Sequence, residues 1–158
     1  MKFLFIVQGE GRGHFTQAIT LEDMLLRNGH QVVEVLVGKS SSRTLPGFFN
    51  RSIQAPVKRF TSPNFLPTAE NKRADLKKRF AYNLIHVPEY FRSMCYINQR
   101  IKETGAEVVI NFYELLTGLT YALFRPSVPY VCIGHQYLFL HNHFEFPRKS
   151  VIQLSMLR

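Results

Sequence analysis

The sequence predicts an α/β fold on a parallel sheet, and three observations predict it. Phe3 to Val7 is a short, continuous apolar run, the pattern of a strand covered on both faces. A glycine-rich loop, Gly9-Glu10-Gly11-Arg12-Gly13-His14, follows directly and leads into an amphipathic run that Asn28-Gly29 ends as a left-handed cap. A second apolar run, Gln31 to Val37, comes next. Strand, glycine loop, helix, glycine and strand together span about 35 residues, the size of a right-handed crossover between parallel strands. The expected architecture is a Rossmann-like three-layer sandwich, with a parallel sheet of at least five strands and helices on both faces.

Each element follows from a local pattern. The first helix is expected from about Thr16 to Arg27, with Ala18, Leu21 and Leu25 on one face. Ser40-Ser41-Ser42 is expected to cap a short helix that Pro46-Gly47 disturbs. A third strand is expected around Pro56 to Phe60, then a loop from Thr61 to Thr68. Phe60, Phe65 and Leu66 are expected to fold back on the core, the alternative being a patch that meets lipid or an acceptor. Residues 70 to 104 read as helix, with Pro88 kinking or dividing it and Tyr90, Met94, Ile97 and Ile101 at core spacing up to Gly105. Glu107 to Phe112 is the fourth strand. Glu114 to Arg125 is the next helix, expected to turn Leu115, Leu119, Ala122 and Leu123 inward, with Pro126 closing it. Pro129 to Ile133 is the fifth strand, ended by Gly134-His135-Gln136, and Lys149 to Arg158 reads as the start of a further helix.

At 158 residues the chain is one domain with room for a real core. The apolar content of 46% and the charged content of 20% are those of a soluble globular protein. No apolar run is long enough for a membrane span, and Met1-Lys2 opens onto a strand without a cleavage site, so a cytoplasmic address is expected. Cys95 and Cys132 are too few and too apolar in their surroundings for a disulfide framework or a zinc site. A net charge of +9 favours anionic partners, and no nucleic-acid-binding module accompanies it. Lys72, Arg73, Lys77, Lys78 and Arg79 face one acid, Asp75; a solvated helix face is the expected reading, and peripheral contact with an anionic inner membrane face the alternative. His141, His143 and Glu145 sit in an aromatic stretch that reads as a lid rather than a metal site, and no cofactor is expected.

The loop carries the chemistry. Glycines at 9, 11 and 13 leave backbone N–H groups open, a helix starting at about His14 turns the positive end of its dipole to the same spot, and Arg12 adds a charged arm. His14 is the group there that titrates near neutral pH. No Lys-Ser or Lys-Thr pair follows, which excludes a P-loop, and His14 replaces the third glycine of the dinucleotide fingerprint. The acid that this fingerprint wants at the end of the second strand is also missing: Gly38-Lys39-Ser40 stands there, and Glu34 lies inside the strand. In an open parallel sheet the first and fourth strands sit side by side at the switch point, so the loop, Asn111 to Glu114, and Gly134, His135 and Gln136 should line one crevice.

Gly9 to Ala18, read as GEGRGHFTQA after an apolar strand, resembles the first loop of two-domain nucleotide-sugar glycosyltransferases, most nearly a bacterial set with a G-x-G-R-G-H start. The resemblance covers roughly residues 1 to 140. It implies the acceptor-side half of a transferase, whose partners are a nucleotide-sugar donor, held mainly by a second domain, and a hydroxyl acceptor, lipid-linked in some relatives. It implies His14 as general base, with Gly9, Gly11, Arg12 and Gly13 on a phosphate. Relatives often orient that histidine with an acid after the fourth strand; Asn111 and Phe112 stand at that place, so Glu10 and Glu114 remain alternative bases. The alternatives from other classes are a stand-alone NADP-binding module using Lys39 and Arg43, and a membrane-docking domain without catalysis.

Overall fold

The computed structural model describes residues 1–9, 11–39, 44–63 and 83–134. Its elements are β1 (Lys2–Gln8), α1 (Arg12–Arg27), β2 (Gln31–Lys39), α2 (Gly47–Ser52), β3 (Val57–Thr61), α3 (Val87–Glu103), β4 (Val108–Phe112), α4 (Leu115–Phe124) and β5 (Tyr130–Cys132). The five strands form one sheet in the order β3-β2-β1-β4-β5, and every pairing is parallel. The chain therefore steps outward in one direction from β1 to β3 and in the other from β4 to β5, which puts the switch point between β1 and β4. The expected Rossmann-like three-layer sandwich is present.

β1 shows why its sequence is apolar throughout. Phe3, Phe5 and Val7 pack under α1 and α2 with Phe15, Ala18 and Phe49. Leu4 and Ile6 point the other way, into a core with Tyr90, Ile97 and Ile101 of α3 and Leu116 of α4. With both faces covered, alternation of apolar and polar residues would leave half the strand unsatisfied.

The helix ends follow their local chemistry, with two corrections. α1 starts at Arg12 rather than near Thr16, because His14 and Phe15 are buried on its inner face and Phe15 packs on Phe49 at 4.5 Å between ring centroids. Its end is as expected: Gly29 has φ +74 and the Asn28 N–H bonds back to Leu25. The short helix α2 begins at Gly47, with Pro46 as its N-cap, so the Pro-Gly pair starts a helix where it was expected to disturb one. A proline sits well at a helix start, where its missing N–H has no partner to lose. Ser40 to Ser42 lie outside the described residues. Pro88 lies in the first turn of α3, after a turn at His86 that divides it from helical residues 83–85. Phe60 is buried, as expected, while Phe65, Leu66 and the basic stretch 72–79 lie outside the described residues.

α4 corrects a third expectation. Leu115, Leu119 and Leu123 are 47%, 45% and 56% exposed, and Ala122 is exposed with them. The buried side is Leu116, Thr117 and Thr120. A helix that is apolar nearly all round has no clear stripe, so periodicity cannot set its rotation. Its flanks set it instead. Glu114 caps the first turn by accepting the Leu116 N–H, and Tyr121 donates its hydroxyl to the Val128 carbonyl. Thr120 donates to the Leu116 carbonyl at 2.7 Å, which lets a hydroxyl sit in the core with its bond made. Cys95 is exposed on α3, so its apolar sequence neighbours do not bury it.

One ionic cluster ties α3 to the sheet. The β1–β2 register shifts between Phe3 and Leu4, so that Leu4 pairs with Glu34. Glu34 then accepts two bonds from Arg100 of α3, at 2.8 and 3.0 Å, and an ion pair from Lys58 of β3 at 2.8 Å. Burial pushes the Glu34 carboxyl up, but the bonds and charges of Arg100 and Lys58 outweigh it, and the net shift is downward from 4.5. Glu34→Gln is expected to cost roughly 1.5–3 kcal/mol at neutral pH, the range for hydrogen bonds to a charged group. Because the folded-state pKa is the lower one, this contribution is present above about pH 4.5 and fades as pH falls through the folded value. Urea titrations of parent and variant from pH 7 to 3 should show the gap between them closing; a constant gap would remove the charge from the explanation.

Candidate functional site

The carboxyl ends of β1, β3, β4 and β5 surround a cavity of about 510 Å³. Its polar wall is Gln8, Ser62, Asn111 and Glu114, and its apolar wall includes Pro63, Tyr113, Leu115 and Tyr130. It lies at the edge of the sheet where ligands of open parallel folds bind.

Glu114 is the most constrained of these. It is 2% exposed, and one carboxylate oxygen accepts the Ser62 hydroxyl at 2.6 Å and the Leu116 N–H at 3.2 Å. A Cβ built on Gly38 would collide with the same carboxylate and lie 2.8 Å from the Phe60 ring, so Gly38 is a glycine to make room for Glu114. Asn111 holds the backbone on the other side: its side-chain oxygen accepts the Glu114 N–H at 2.9 Å, and its amide donates to the Glu114 carbonyl and towards the Cys132 sulfur. Between them Tyr113 adopts φ +60, a left-handed conformation uncommon for a residue with a large side chain.

The glycine loop stands on the neighbouring strand end. Gly9 is required by the fold, since its N–H bonds the Gly38 carbonyl at 2.7 Å and a Cβ there would come within 2.6 Å of that oxygen. Gly11 and Gly13 are different. A Cβ on Gly11 meets only His14 at 3.6 Å, and one on Gly13 meets nothing within 4 Å. Neither packing nor a positive φ demands them. Gly11 is the N-cap of α1 without a side-chain cap, and among the described residues no acid occupies the first turn to meet the positive end of the helix. Arg12 is exposed, whereas His14 is 8% exposed and its ring lies parallel to that of Tyr113, centroids 6.0 Å apart at 16°.

Asn111, Glu114 and His14 are thus gathered at one edge, with Tyr113 between the histidine and the cavity. The cavity wall includes Asn111 and Glu114 but none of Gly9, Gly11, Arg12, Gly13 or His14, and Gly134 lies beyond β5 without lining it. Glu10, Arg43, His135, Gln136, His141, His143 and Glu145 lie outside the described residues. Among the described residues no group of three or more His, Cys, Asp or Glu is placed to hold a metal, and no helix is long and apolar enough to cross a membrane. Sequence reasoning placed Tyr113 within the crevice segment Asn111 to Glu114 but gave it no role, and it passed over Gln8, Ser62 and Tyr130. Gln8 could have been found by taking every residue at a strand's carboxyl end, whereas Ser62 is visible only through its bond to Glu114.

The glycines sort into two classes by stability. Gly38→Ala is expected to destabilise by roughly 1–3 kcal/mol through overpacking. Gly13→Ala is expected to leave stability unchanged or to raise it by about 0.5–1 kcal/mol. Chemical denaturation of the two variants separates a glycine the fold needs from one it does not; equal losses would make both structural.

No protein-family model matches the chain, and no curated protein matches it.

Proposed function

We propose that the chain is the acceptor-side domain of a glycosyltransferase that moves a sugar from a nucleotide-sugar to a hydroxyl acceptor. The observation that carries this reading is the position of His14: the imidazole of the G-x-G-R-G-H loop stacks on Tyr113, and Tyr113 lines a cavity at the edge where β1 and β4 adjoin. In the reaction the acceptor oxygen bonds to the anomeric carbon as the bond to the diphosphate breaks. The nucleoside diphosphate leaves, and the acceptor proton passes to the neutral imidazole. The open N–H groups at the start of α1 and the exposed Arg12 suit a phosphate of donor or acceptor, and Gly11 and Gly13 keep the approach clear. Glu114, already accepting from Ser62 and Leu116, is the alternative base on this side, and Glu10 the one within the loop.

The test uses the whole protein that carries this chain, supplied with a panel of nucleotide-sugars and hydroxyl acceptors, with release of nucleoside diphosphate as the readout. His14→Ala is expected to lower turnover by about a hundredfold to ten-thousandfold, the usual loss of a general base, while nucleotide-sugar affinity stays within a few-fold. His14→Gln, which cannot take the proton, should be nearly as slow. Turnover within a few-fold of the parent in both would transfer the role to Glu10 or Glu114. Failure to release diphosphate from any donor, together with tight NADP binding, would replace the transferase with a dinucleotide-binding module. Arg12→Ala is expected to weaken phosphate binding by roughly 1.5–3 kcal/mol, measured by titration with inorganic phosphate or a nucleoside diphosphate.

A further inference from the structure

Tyr113 holds its left-handed backbone at φ +60 although no turn chemistry of its own favours it. Such a conformation costs free energy in a residue with a side chain, and it persists where the surroundings impose it. Here the imposing contacts are identifiable: the Asn111 side chain grips both the N–H and the carbonyl of Glu114, closing the backbone around residue 113. The effect is to place an aromatic ring in the cavity wall while its face lies along His14, where a glycine or asparagine would close the same turn at less cost. A ring retained against backbone preference at the edge of a cavity points to contact with a ligand.

The rest of the wall says what kind of ligand. Tyr130 presents a second ring, steadied by Tyr121 at 4.2 Å between centroids. Gln8 and Ser62 offer neutral polar groups. Among the described residues no Lys, Arg or His lines the cavity, and its one carboxylate is Glu114. A phosphate or carboxylate placed there would find no countercharge and would face that carboxylate, so the cavity disfavours anions. The features that suit an anion, Arg12 and the start of α1, belong to the glycine loop outside it.

We propose that Tyr113 is a specificity-determining residue that stacks on a neutral, hydroxyl-bearing ring in this cavity, the class being an uncharged sugar ring or glycoside. The proposal rests on the reading of the cavity as the acceptor side, and it narrows that acceptor: the ring that enters the cavity carries no charge and no phosphate of its own.

The experiment measures binding to the 158-residue chain rather than turnover, by calorimetry or ligand-observed NMR, with 4-nitrophenyl β-D-glucoside and its 6-phosphate as probes. The parent and Tyr113→Phe are expected to bind the neutral glucoside within threefold of each other. Tyr113→Gly should bind it at least tenfold more weakly while melting no lower than Tyr113→Phe, since glycine relieves the backbone. Tyr113→Asn, which also tolerates the left-handed conformation, provides a second ring-deleted variant with the same expected loss should the glycine variant fold poorly. The 6-phosphate should bind the parent at least tenfold more weakly than the neutral probe. The proposal is overturned if the ring-deleted variants bind like the parent, if the 6-phosphate binds as tightly as the neutral glucoside, or if the parent binds neither probe. A protein that binds the glucoside through Tyr113 and yet releases no diphosphate from any nucleotide-sugar would retain this inference and lose the transferase.

Discussion

The carboxyl edge of the sheet depends on one backbone position, Gly38. Its carbonyl accepts the Gly9 N–H and so brings the end of β1 hard against β2. Its bare Cα lies beneath the Glu114 carboxylate and the Phe60 ring, which come from α4 and β3. Three segments distant in sequence therefore meet at a residue with no side chain. Any side chain there would push Glu114 off Ser62 and Leu116, and with it the cap of α4 and the turn that presents Tyr113. The architecture of the site is thus a packing constraint first and an electrostatic one second.

Buried carboxylates do much of the remaining work. Glu22 of α1 accepts the N–H groups of Gln54 and Ala55, both at 2.8 Å, and fixes the chain where it leaves α2 for β3. Glu34 ties α3 and β3 to the middle of the sheet, and Glu114 ties the end of β3 to the start of α4. Each accepts at least two hydrogen bonds, which offsets the cost of placing a carboxyl group in a core. Together they hold the joints between elements, where apolar packing alone would permit sliding.

The fold was legible because its signals are local. The two apolar runs around the glycine loop, the Asn28-Gly29 stop and the Gly105 stop each depend on a few adjacent residues, and the structure realises each of them. What was hidden depends on distant partners. The rotation of α4 could not be read from a segment apolar on every side, because the Glu114 cap and the Tyr121 bond decide it. The site was half legible: strand order brought His14, Asn111 and Glu114 to one edge, as the switch-point rule requires. Tyr113 fell within the segment expected at the crevice, but what sets it apart is a backbone angle and a ring contact, neither of which a sequence displays. Glu34, passed over as an acid in the wrong place for a ribose, is spent on Arg100 and Lys58.

The two outer strands of the described sheet are unlike. β3 offers Lys58, paired with Glu34, and Arg59, both exposed along a five-residue edge, and charged side chains on an edge strand discourage a further strand. β5 offers three residues, of which Tyr130 and Val131 are exposed and apolar. The described edges of the sheet therefore meet solvent differently, β3 with charge and β5 with apolar surface.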